Sequence, residues 1–187
     1  MDATIVESPS AKAVEKCRSA ARVGVDAVEA ADDSVDDWAA HIQAMADLEA
    51  GRNTEAETKA IWTETRTAGP GRVTLFEQAA ADYQDVRALC ADVDAVDMTA
   101  EQQGAIDGCR VLGEETDKAL SAARNAVAEW KAHLAAMAHR RSGHLDPGAA
   151  TTLWLAAYEK APVNIDAFHD AEAAFRAARA DCSTPKQ

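Results

Sequence analysis

The chain has little of what several large protein classes require. No stretch approaches the roughly 18 to 20 consecutive apolar residues of a membrane span, so none is expected. Positive charge is scarce: 19 Lys+Arg stand against 32 Asp+Glu, for a formal net charge of −13. Phosphate binding needs a basic face, so nucleic acid is an unsuitable partner, and so is an anionic membrane surface. Aromatics are few, with 3 Phe, 2 Tyr and 4 Trp in 187 residues. The apolar share is mostly Ala, which predicts a helical protein. Met1-Asp2-Ala3 opens the chain without a basic start or an apolar run. If the protein is exported, its signal sequence is therefore expected to be absent from this chain.

Chemical motifs are missing too. There is no phosphate loop, nucleophile elbow or His-Glu-x-x-His. No Cys-x-x-Cys-His attaches a c-type haem. The Glu-x-x-His pairs of di-iron bundles are not found. The expectation is a protein that makes and breaks no bond, hence not an enzyme.

What the chain does have is an internal repeat. At an offset of 92 residues, 21 of the 74 positions from Cys17 to Cys90 are identical, without gaps. Rare residue types dominate. Cys17 matches Cys109, Trp38 matches Trp130, His41 matches His133 and Met45 matches Met137. Gly51, Trp62, Pro70, Phe76 and Cys90 match Gly143, Trp154, Pro162, Phe168 and Cys182.

Each copy begins with an apolar heptad seam. Val14, Ala21, Val28, Val35 and Ile42 form one line, and Cys17, Gly24, Ala31, Trp38 and Met45 the other. Ile106 to Leu134 and Cys109 to Met137 repeat it. This is the pattern of helices packed lengthwise. Ser8-Pro9 and Thr99 with Gln102 signal helix starts, and Gly51 and Gly143 signal stops. The second arms carry Trp62, Gly69, Phe76, Tyr83 and Cys90, and later Trp154, Ala161, Phe168, Phe175 and Cys182. Proline at 70 and 162 predicts kinked arms, each read as two collinear helices, about 54–68 and 70–91, then 147–160 and 162–182.

From Cys17 to Gly51 and back to Cys90 the two arms nearly cancel in length, at roughly 1.5 Å per residue. Each copy is then an antiparallel hairpin whose cysteines meet at its open end. Of three possible connectivities, the repeat selects Cys17–Cys90 and Cys109–Cys182. Four buried thiols in a reducing compartment are the alternative; disulfides imply an extracytoplasmic location, secreted, periplasmic or cell-surface. A short linker, Asp92 to Met98, makes neighbours antiparallel. The expected fold is all-α. It is an up-down-up-down four-helix bundle of two duplicated, disulfide-stapled hairpins, 8–92 and 99–182, forming one integrated unit.

Trp-x-x-His-x-x-x-Met occurs in both copies. Offsets of three and four bring the side chains near one helix face. His41, Met45, His133 and Met137 would then converge across the bundle as an imidazole–thioether set, which favours Cu(I). Trp38, Trp130, Trp62 and Trp154 would surround it, where a ring can cover a soft cation. The expected role is copper binding, storage or delivery. Two other readings stand beside it. One is a cofactor-free structural or protein-interaction bundle, with a Trp/Met packing layer and a solvated His at the seam's flank. The other is haem between facing helices, with Ala40, Ala44, Ala132 and Ala136 leaving space. Asp32, Asp33, Asp36 and Asp37 read as an exposed acidic face or a hard-cation site. Arg140 to His144 read as a solvated turn, and Ser183 to Gln187 as a frayed tail.

Overall fold

The computed structural model describes residues 8–93, 97–144 and 146–183. Met1 to Ala3, most of the tail and the middle of the 92–98 linker lie outside them. Four long helices, α1 (Pro9–Glu49), α2 (Glu55–Val86), α4 (Ala100–Arg141) and α5 (Pro147–Ser183), carry nearly all of it, with a short α3 (Ala88–Ala91). No strand occurs among the described residues.

Local chemistry accounts for the ends. Ser8 Oγ accepts the amide of Ala11 at 3.2 Å, and Pro9 fills the first turn, where its missing N–H is not needed. Thr54 with Glu57 and Thr99 with Gln102 close reciprocal capping boxes. Gly51 and Gly143 adopt φ of +69° and +76°, the left-handed geometry that lets a helix stop and the chain turn back.

α1 packs against α2, α4 packs against α5, and α1 runs along α4 through the centre, while α2 and α5 stay apart. The seam residues Val28, Val35, Leu120 and Val127 are buried between them. At one end the disulfides Cys17–Cys90 and Cys109–Cys182 form as expected, each with Cα atoms 4.4 Å apart and a sequence separation of 73. Both stitch the first helix of a half to the chain that returns beside it. No described helix is long and apolar enough to cross a membrane.

One expectation is corrected. The second arms are not pairs of collinear helices: α2 runs unbroken through Pro70, and α5 through Pro162. Each proline removes a single N–H donor and stands exposed. The residues facing inward on either side, Gly69 and Val73, then Ala161 and Ile165, remain buried and carry the helix across. The interruption comes later, after Val86, where α3 turns Cys90 inward toward its partner.

Candidate functional site

The site lies where α1 and α4 face each other through Trp38 and Trp130. Trp38 and Trp130 are fully buried and stack with centroids 4.9 Å apart and planes inclined by 21°. Each histidine rests on the other helix's tryptophan: His41–Trp130 and His133–Trp38 are both 5.0 Å between centroids. The imidazoles meet edge-on, with Nε2 of His133 3.3 Å from Nε2 of His41. The histidines are 3% and 5% exposed, so the solvated position at the seam's flank is not what forms. The close approach of α1 to α4, with α2 behind His41, turns that flank into core.

Hydrogen bonding to Thr65 assigns the tautomer of His41. Thr65 donates its hydroxyl to the carbonyl of Ile61 at 2.9 Å, so its oxygen accepts Nδ1–H of His41, also at 2.9 Å. Nε2 of His41 is therefore left with a lone pair, facing Nε2 of His133 at 3.3 Å. The indole of Trp62 donates to the carbonyl of His41 at 3.0 Å and lies along its ring at 5.7 Å. Burial, with help from the neighbouring His133 and Arg66, pushes His41 down to about 3, and burial pushes His133 down to about 4. Both rings are neutral at pH 7, the state in which imidazole is a ligand.

Two buried donors find no acceptor among the described residues: Nε1 of Trp38 and Nε1 of Trp130. Trp130 presses on Gly69, where a β-carbon would come within 2.9 Å of its Cζ2 and 3.0 Å of its Nε1.

The remaining expected residues divide. Met137 shares a cavity of about 290 Å³ with His133, Ala150, Arg140 and Trp154. Met45 is half-buried on α1, one turn beyond His41. Trp154 does not repeat what Trp62 does: it stacks on Tyr158, 6.0 Å between centroids. Ala44 is buried and Ala136 half-buried, whereas Ala40 and Ala132 face solvent. The acidic run is not one exposed face. Asp37 is buried and accepts from Arg72 at 2.8 Å, and Asp32 accepts from Arg176 at 3.2 Å. His144 stays exposed at the second turn, against Ser142 Oγ at 2.9 Å.

Two groups escape sequence reasoning. Thr65 aligns with Ala157, so a search for residues kept in both halves discards it. Asp32, His169 and Glu172 bring their ligand-type atoms within 4.8 Å of one another across α1 and α5, a juxtaposition that no spacing announces. Arg176 already bridges Asp32 and Glu172 there.

Compared with family models, curated proteins and solved structures, the chain matches none.

Proposed function

We propose that the chain is a duplicated up-down-up-down bundle of two stapled hairpins that binds Cu(I) outside the reducing cytosol, for storage, buffering or delivery. His41 and His133 are the central ligands, with Met45 and Met137 completing the set. The observation that carries this reading is the Nε2–Nε2 distance of 3.3 Å between two buried neutral imidazoles. Two metal–nitrogen bonds of about 2.0–2.1 Å, the length typical of zinc–imidazole bonds, span about 3.3 Å at a tetrahedral angle. Thr65 holds the Nδ1–H of His41, the arrangement by which a ligating histidine is oriented and its lone pair aimed. Thioether with imidazole suits a soft monovalent ion better than Mg or Ca.

The energetics favour a functional centre over a packing layer. Two imidazoles are buried at the expense of their protonated forms, and two indole N–H groups are buried with no acceptor among the described residues. Each unsatisfied buried donor costs about 1–3 kcal/mol. Phenylalanine would fill such a layer without that cost, yet both halves keep Trp and His. A haem plane would have to displace the Trp38–Trp130 stack, so copper is preferred.

A second reading, a cofactor-free interaction module, is favoured by Leu153, Leu155 and Val163, exposed by 51%, 48% and 70% on the first part of α5.

The test is anaerobic Cu(I) titration against a chromophoric chelator competing at micromolar strength. Stoichiometric uptake by the wild type, abolished in His41→Ala/His133→Ala, supports copper binding. No uptake by the wild type rejects it and leaves the interaction module.

A further inference from the structure

The two halves supply the same ligand motif but enclose it differently. In the first half His41 is sealed. Thr65 holds its Nδ1–H, and Trp62 covers its ring and bonds its carbonyl. Thr58, 1% exposed, donates its hydroxyl to the carbonyl of Ala44 at 3.4 Å and closes the space between α1 and α2. Among the described residues, none of these closures recurs in the second half. Thr65 aligns with Ala157 and Thr58 with Ala150. Trp154 lies against Tyr158 and forms, among the described residues, no bond like that of Trp62. Where Thr58 stands beside Ala44 in the first half, Ala150 beside Ala136 lines a cavity of about 290 Å³ that runs from buried His133 and half-buried Met137 to exposed Arg140.

We propose that the shared site is one-sided. Copper enters and leaves through the cavity between α4 and α5, with Met137 and His133 as the exchanging ligands and His41 as the fixed one. This rests on the copper reading above. The physical basis is mobility. A ligand whose second nitrogen is tied and whose ring is covered cannot turn to meet an incoming ion, whereas one that borders open space can. Met137 stands one turn beyond His133 on the same wall and offers a soft first contact. Arg140 places a positive charge at the exposed end. The cavity therefore suits Cu(I) handed over from a neutral or anionic complex rather than the bare cation.

The test has two readouts. The first is copper-independent: brief treatment with diethyl pyrocarbonate, with modified histidines mapped by mass spectrometry. The second is stopped-flow uptake of Cu(I) supplied anaerobically as its anionic bicinchoninate complex. In the wild type, His133 is expected to react about tenfold faster than His41. Ala150→Thr, which installs the first half's own residue, should slow both His133 modification and copper uptake about tenfold while changing equilibrium affinity little. Thr58→Ala should instead raise the reactivity of His41. Equal reactivity of the two histidines, or an Ala150→Thr protein with both rates unchanged, overturns the one-sided site while leaving copper binding intact. If the wild type takes up no copper, the copper reading falls and the proposed entry route falls with it.

Discussion

At the scale of residues, the centre is defined by what burial does to two imidazoles. The native state holds His41 and His133 neutral down to about 3 and 4, while an unfolded histidine titrates near 6.5. The unfolded chain therefore binds more protons across this interval. The stability that the pair contributes is complete above pH 6.5 and is lost as the pH falls toward 4. The slope approaches roughly 1.4 kcal/mol per pH unit for each histidine. Urea unfolding at pH 7, 6 and 5 should show this slope in the wild type and a shallower one in His41→Gln/His133→Gln. Equal slopes would mean that the rings are not held neutral in the fold. Gly69 is a second residue-scale test. A β-carbon there meets Trp130 and Leu134 at 2.9 and 3.0 Å, whereas at Gly71 it meets nothing within 4 Å. Gly69→Ala should cost about 1–3 kcal/mol through overpacking. Gly71→Ala should be neutral or gain up to about 1 kcal/mol from helix propensity. Chemical denaturation of the two variants checks the contrast.

At the scale of elements, most of the heptads of the first arms were legible because a buried seam repeats at the helix period, although Ala21, Met45, Gly113 and Met137 are only half-buried. The ends were legible because Ser8, Thr99, Gly51 and Gly143 each supply a specific bond or dihedral angle. The prolines misled. A local rule about one missing donor is outweighed when apolar packing continues on both sides, as Gly69 with Val73 and Ala161 with Ile165 do. Pro70 is exposed and inside a continuous helix, so Pro70→Ala should stabilise the protein by about 1–3 kcal/mol. Hydrogen exchange should then slow at the amides just after position 70. A destabilised Pro70→Ala would mean that the proline shapes the arm that seats Trp130. The candidate site shows the same division. His41 and His133 were found because both halves keep them, whereas Thr65 and the cavity at Ala150 arise where the halves differ. Self-comparison reveals the shared histidines and hides the asymmetry.

For the whole molecule, the two disulfides matter most, because only these covalent links tie the open ends of the arms together. Their pairing could be deduced from arm length and repetition, since near-equal arms bring Cys17 to Cys90 and the repeat carries the same pairing to Cys109 and Cys182. Each closes a separation of 73 residues, which the chain-entropy estimate values at roughly 4 kcal/mol. Cys17→Ser/Cys90→Ser should lose about that much by thermal or urea unfolding, and a loss under 1 kcal/mol would contradict the stapled architecture. The central claim is that the two halves meet at one ion. The most direct measurement is the Cu(I) stoichiometry and affinity of the wild type beside His41→Ala and His133→Ala, each titrated anaerobically against the same competing chelator. One shared site predicts a single ion per chain, lost in either single variant. Two ions per chain, or one retained at full affinity when either histidine is removed, would contradict it.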